Sequence, residues 1–155
     1  MVIRGTFRTD PISALRLPIP VSIARDASVG AALAAVQRHR RGYVLIVEDG
    51  RPVGIMSELE VLMKIVARDV KYDSNVAAFA SPIPYTLTAS DRIGEAILLM
   101  TDTGADNIPI VDRAGKAVAV IRTFDIIHFL AEAFPEHALN LPPRSDQIHA
   151  RPEGA

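Results

Sequence analysis

Two short segments carry the side chains whose types and spacing suit chemistry: Ser57-Glu-Leu-Glu60 and Arg122-Thr-Phe-Asp125. Each follows a β-branched run and sets a carboxylate three residues after a polar group, where a helix is expected to begin. Ser57 and Glu60 spell a capping box, in which the hydroxyl and the carboxylate satisfy the helix start without any ligand. Asp125 fits equally as a first-turn carboxylate favoured by the helix dipole. The other polar groups promise less. Arg38-His-Arg-Arg41 supplies cations to a helix C-terminus, where they complement the dipole. It has no interleaved aromatics on which nucleic-acid bases could stack, so nucleic acid is not expected as a partner. His39, His128, His137 and His149 set up no helical i, i+4 pair with a carboxylate, so no metal site is expected. There is no Gly-x-Ser-x-Gly elbow, Walker lysine motif or Gly-x-Gly-x-x-Gly loop, and the expectation is a protein that is not an enzyme.

Composition narrows the class further. The 155 residues are 49% apolar but only 5% aromatic, with no tryptophan, so the core must be aliphatic. Formal charges balance to −1, which leaves no global field to attract nucleic acid or an anionic membrane. With no cysteine, disulfides, thiolate catalysis and cysteine-built zinc sites are excluded. No stretch approaches the ~20 apolar residues of a membrane span, and the N-terminus reads unlike a signal peptide. No membrane association and a cytoplasmic location are therefore expected.

The elements that must position the two segments occur twice in the chain, in step with one another. Leu17-Pro-Ile-Pro-Val21 returns as Ser81-Pro-Ile-Pro-Tyr85. Val29, Gly30, Ala32, Leu33 and Val36 return as Ile93, Gly94, Ala96, Ile97 and Met100, and Val44–Glu48 as Ile108–Asp112. One extra residue in the next turn shifts the alignment by one, which matches Val53–Met56 with Val118–Ile121 and Leu59–Leu62 with Phe124–Ile127. A repeat of this kind buries its apolar face against its own copy.

Within the first copy, Val21–Ile23 reads as a short strand. Asp26 and Ser28 are N-cap types before Val29, Ala32, Leu33 and Val36, whose i, i+3, i+4, i+7 spacing makes one face of an amphipathic helix. Tyr43–Val47 is a continuous apolar run suited to a strand buried on both faces. Asp49-Gly50 predicts a hairpin turn before the returning strand Val53–Met56. Ser57 then caps a helix over 58–69. The order is β-α-β-β-α, and the second copy repeats it, ending in a helix over Thr123–Ala133. The last helix of each copy is apolar around most of its circumference, which predicts a covering partner. A homodimer through Leu62, Ile65, Ile127 and Leu130 is the expectation.

The expected domain boundaries are an N-terminal extension (1–16), a first repeat (17–70), a linker (71–80), a second repeat (81–134) and an extended or disordered tail (135–155). A strand is expected over Val2–Phe7, and Leu139 and Leu141 are candidates to dock the tail.

A tandem β-α-β-β-α unit ending near Gly-x-x-Ser/Thr-x-x-Asp resembles the CBS domain, two copies of which form a Bateman module with pseudo-twofold symmetry. The resemblance runs from about Leu17 to Phe134. It rests on the paired Pro-Ile-Pro segments, on Asn107-Ile-Pro-Ile-Val-Asp112, and on Gly54-Ile-Met-Ser57-Glu-Leu-Glu60 with its counterpart Ala119-Val-Ile-Arg122-Thr-Phe-Asp125. It implies an α/β (α+β) fold and a stand-alone regulatory module with no cofactor. It also implies clefts between the copies that bind AMP, ADP or ATP, with S-adenosylmethionine less favoured. Carried over residue by residue, a first cleft would use Pro18, Ile19, Val21, Gly42, Tyr43, Ser57 and Glu60. A second would use Pro82, Ile83, Tyr85, Asp106, Asn107, Arg122, Thr123 and Asp125. In this pattern the helix-start hydroxyl helps to hold phosphate, and the carboxylate accepts the ribose hydroxyls.

Four positions depart from the pattern. Glu60 stands for aspartate, Arg122 for Ser/Thr and Ala119 for the second glycine, while Asp106 puts a negative charge where an anionic ligand would lie. The planar fork of Arg122 can itself bind phosphate. Degenerate clefts would instead make the chain a ligand-free structural or dimerisation module. The regulated partner protein is not specified by the sequence.

Overall fold

The computed structural model describes residues 8–133. The strand expected over Val2–Phe7, the tail 135–155, and Phe134 lie outside the described residues. Among the described residues two three-stranded sheets form, each with one parallel and one antiparallel pairing. The first sheet orders β1 (Ser22–Ala24), β2 (Tyr43–Glu48) and β3 (Arg51–Ser57), with helix α1 (Val29–His39) linking the parallel pair. The second orders β4 (Leu87–Thr88), β5 (Asn107–Val111) and β6 (Ala117–Arg122), with α3 (Ile93–Thr103) in the equivalent place. Helix α2 begins at Glu58–Val61 after β3, and α4 (Thr123–Ala133) follows β6.

The repeat holds in detail. The register of each antiparallel pair slips at matched places, Ile46/Val47 and Ile110/Val111. Asp49 and Gly50 both take positive φ (51° and 76°), the backbone that a two-residue hairpin turn demands. Ser28 caps α1 by accepting the Ala31 N–H at 3.1 Å. The middle strands are the core: Val44, Leu45 and Ile46 in one sheet and Ile108 and Ile110 in the other are fully buried.

Four features differ from the sequence expectations. The first strand runs Ser22–Ala24 rather than Val21–Ile23; the Val21 carbonyl accepts the Leu45 N–H at 2.8 Å, while the Val21 N–H goes to the Tyr43 hydroxyl at 3.3 Å. The helix expected over 58–69 widens to π-helical turns at Leu62–Val66, with the Ala67 N–H donating to the Leu62 carbonyl at 2.9 Å. No proline or glycine in that stretch marks the change. His128 does form an i, i+4 pair with Glu132, Nε2 to Oε1 3.1 Å, although both side chains are exposed.

The fourth feature concerns the segments ahead of each copy. Ile12–Leu15 forms a 3₁₀ turn whose Ile12 is buried in the second core, beside Ile93, Ala96 and Ile121. Val76–Ala78 forms the same turn, with Val76 buried in the first core. The hydrogen bonds match too. The Ile93 N–H donates to the Asp10 carbonyl at 2.9 Å, and the Val29 N–H to the Ser74 carbonyl at 2.8 Å. Each lead-in segment thus packs on the opposite copy. Gly94 is required where this happens, since a Cβ there would stand 2.8 Å from the Arg8 carbonyl oxygen.

The apolar surface of the last helices also sorts itself. Ile65 is 1% exposed and belongs to the first core, one turn after buried Val61, so it cannot contribute to a dimer face. Leu130 is half-buried against the second core. The outward faces carry Leu59, Leu62, Met63 and Val66 on α2 and its π-turn, and Phe124 and Ile127 on α4, all more than half exposed.

Candidate functional site

The sequence of β3 runs directly into α2, and Ser57 turns the corner. Its Oγ accepts the Glu60 N–H at 3.2 Å while Glu60 Oε2 accepts the Ser57 N–H at 2.9 Å, completing the capping box. The other carboxylate oxygen of Glu60 accepts from Lys64 Nζ at 3.0 Å and from the Ser81 hydroxyl. Lys64 Nζ also donates to Ser81 Oγ at 2.9 Å. Burial alone would push the Glu60 carboxyl up. The hydrogen bonds from Ser81, Ser57 and Lys64, with the Lys64 charge, outweigh it and hold the group below its ordinary value of 4.5.

That balance sets a pH dependence. A carboxyl with a depressed folded pKa contributes stability above its unfolded value, and the contribution is lost as pH falls through the folded pKa. Wild type is expected to be more stable than Glu60→Gln at pH 6–7, with the gap closing below about pH 4.5. Urea unfolding of both proteins from pH 7 to pH 3 checks this. A gap that stays constant with pH would show that the charge of Glu60 is not what the network holds.

Opposite Ser57 and Glu60 stand residues of the other copy. Pro82–Tyr85 leads into the second sheet, and Thr103–Pro109 spans the end of α3 and the first half of β5. With Ile55 they enclose a cleft of about 380 Å³. Gly104 closes α3 with φ 73°, which turns the chain so that Asp106 and Asn107 face the cavity. The cleft therefore joins Pro82, Ile83, Tyr85, Asp106 and Asn107 of one copy to Ser57 and Glu60 of the other.

The sequence grouped residues by copy, and the structure regroups them across copies. Arg122, Thr123 and Asp125 do not line this cleft with Pro82, and the Arg122–Asp125 pair stands beside first-copy residues. The Arg122 guanidinium donates to the Arg41 carbonyl at 3.0 Å and to both oxygens of Asp125, from Nε at 3.1 Å and Nη2 at 2.9 Å. Asp125 Oδ2 also accepts the Arg122 backbone N–H at 2.9 Å. Both side chains are largely buried. Tyr43, whose hydroxyl accepts from Val21, feels the charges of Arg122, Arg41 and Asp125, and burial pushes its phenol above the ordinary value of 10.0. Val21, Tyr43, Arg41, Arg122 and Asp125 thus fill the pseudo-symmetric position with protein.

Of the remaining candidates, Gly42 accepts the Glu58 N–H through its carbonyl at 3.1 Å, and Asp106 accepts the Thr123 N–H in the same way. Pro18 and Ile19 are exposed on the approach to β1. Sequence reasoning missed Lys64, Ser81 and the Thr103–Ala105 wall. Lys64 was accessible as a Glu-to-Lys i, i+4 pair. Ser81 was not, because only the fold brings it under Glu60. No group of three metal-ligating side chains occurs among the described residues, and no helix there is long and apolar enough to cross a membrane.

The sequence pattern of the CBS domain matches residues 12–67 and again 76–132. The chain belongs to the CBS domain family. Both matches begin at the exchanged turns, Ile12 and Val76. This CBS pair is 32% identical over 94 residues to the uncharacterized protein MK0525 of Methanopyrus kandleri, across 59% of this chain and 48% of that one. The chain spans about half or less of the curated relatives it matches; for the CBS domain-containing protein CBSCBSPB5 of Arabidopsis thaliana the share is 20%. Among solved structures, the CBS domain protein PAE2072 of Pyrobaculum aerophilum, complexed with AMP, superposes with a TM-score of 0.70. It has 23% identity over 79% of this chain and 99% of that one. The CBS domain pair of MJ0100, in complex with 5′-methylthioadenosine and S-adenosyl-L-methionine, gives 0.69 at 18% identity over 78% and 99%. These likenesses establish the shared fold of two CBS repeats.

Proposed function

We propose that this chain is a regulatory CBS pair, not an enzyme, that binds an adenosine ligand between its copies and signals to a partner protein by conformational change. The observation that carries the reading is the composite cleft of about 380 Å³, a volume within the range of small-molecule sites. Because Ser57 and Glu60 belong to one copy and Pro82–Tyr85 and Asp106–Asn107 to the other, a ligand there touches both. It shifts their relative orientation by as much as its affinity differs between the two states. Tyr85, half exposed at the rim, offers a ring to an adenine. The AMP and S-adenosylmethionine complexes of the structural relatives support the ligand class, with AMP, ADP and ATP as the nucleotides to test. A cytoplasmic location fits an adenosine sensor.

The outward stripe of Leu59, Leu62, Met63 and Val66, continued by Phe124 and Ile127, supports a homodimer. Phe124 stacks on His128 with ring centroids 5.7 Å apart, which stiffens that part of the face. A second reading, a ligand-free dimerisation module, is favoured by the Arg122–Asp125 pair that fills the other cleft.

Two measurements separate the readings. Isothermal titration with adenosine compounds is expected to give saturable binding, which Tyr85→Ala weakens. Light scattering of a Leu62→Lys/Ile127→Lys variant is expected to show a monomer where wild type is a dimer. Both side chains are already exposed, so the substitutions leave the core intact. No heat with any adenosine compound, alongside a dimer lost on substitution, would establish the second reading.

A further inference from the structure

We propose that the open cleft selects an adenine nucleoside whose 5′ substituent carries no phosphate, either neutral or positively charged. This rests on the reading of that cleft as an adenosine site. Among the described residues, the charged ones lining it are Glu60 and Asp106, both acidic, and no lysine or arginine lines it. Lys64 is the nearest cation on α2 and its π-turn, and its ammonium is already held by Glu60 and Ser81. It offsets the charge of Glu60 and leaves that of Asp106, whose carboxylate has no side-chain partner among the described residues.

Two of the backbone donors that could hold an anion at this helix start are also taken. The Glu58 N–H donates to the Gly42 carbonyl and the Glu60 N–H to Ser57 Oγ. A phosphate entering this cleft would give up its hydration and find a carboxylate with few free donors. An uncharged 5′ group escapes that cost, and a cationic one gains from Asp106. The contrast with the filled cleft is sharp: Arg41 and Arg122 gather there, whereas no arginine among the described residues lines the open cleft.

The test is calorimetry on the full chain at low and at 0.15 M salt, with adenosine, S-adenosylmethionine, AMP and ATP as probes. Adenosine and S-adenosylmethionine are expected to bind at least about tenfold more tightly than ATP, with AMP between. Asp106→Asn, at an exposed position, is expected to tighten AMP and ATP about threefold to tenfold and to weaken S-adenosylmethionine. AMP or ATP binding more tightly than adenosine would overturn the charge selection and leave the adenosine site standing. Unchanged ligand ratios in Asp106→Asn would do the same. If none of the four probes binds, the adenosine reading itself fails, and this inference with it.

Discussion

Ile12→Ala is expected to destabilise the protein by about 2–5 kcal/mol, the range for truncating a buried isoleucine to alanine. The residue lies on a short segment ahead of the first repeat, where sequence alone suggests tolerance. Its side chain is nevertheless 1% exposed, among Ile93, Ala96, Ile108, Ile110 and Ile121 of the second repeat. Two backbone hydrogen bonds, from Ile12 to the Asp91 carbonyl at 2.8 Å and from Ile93 to the Asp10 carbonyl at 2.9 Å, pin the segment there. The cavity left by truncation is walled by sheet and helix, so little can collapse into it. Val76→Ala, the pseudo-symmetric change, removes less volume and is expected to cost less. Urea denaturation read by circular dichroism gives both values, with the m-value unchanged if the native surface is unaltered. A loss for Ile12→Ala no larger than that of an ordinary surface substitution, about 0.5 kcal/mol, would mean that the segment does not complete the second core. The exchange also couples the copies, since neither core is complete without a segment lying outside its own sheet and helices.

Why this exchange escaped the sequence reading is a matter of length and contrast. Ile12 and Val76 do stand at the same offset from one another as the two Pro-Ile-Pro segments. A 3₁₀ turn with one buried side chain, however, has no periodicity to separate it from a linker. The long elements were legible because apolar spacing repeats within them and then repeats again between copies, as Val29–Val36 and Ile93–Met100 do. The capping box at Ser57 was legible for a different reason: its partners are three residues apart, so local spacing fixes the geometry. The clefts were not legible in their true grouping. Each motif names a residue type and an offset within one copy, whereas the pseudo-twofold arrangement joins Glu60 to Pro82 and Arg122 to Arg41. Ile65 illustrates the same limit on the outer face. A helix apolar nearly all round does not reveal which stripe faces its own sheet, and here Val61 and Ile65 do.

Arg122 has the largest expected effect on the filled cleft. Arg122→Ala is expected to cost about 2–3 kcal/mol, below the 3–5 typical of a fully buried broken pair because some solvent reaches both side chains. It would strip Asp125 of two charge-assisted hydrogen bonds and leave the Arg41 carbonyl without its donor. Arg122→Ser is expected to recover about 1 kcal/mol of that loss, because a serine three residues before Asp125 restores a helix cap. The serine variant also empties the position that the guanidinium now fills, between the Arg41 carbonyl and Asp125. If the filled cleft is a nucleoside site closed by its own arginine, calorimetric stoichiometry should rise from one ligand per chain in wild type to two in Arg122→Ser. Asp125 would then accept the ribose hydroxyls that Arg122 now displaces. Asp125→Asn in the serine background should remove the newly opened site while leaving the open cleft, at Glu60 and Tyr85, unaffected. A stoichiometry that stays at one in a folded Arg122→Ser protein would show that more than the arginine closes this cleft.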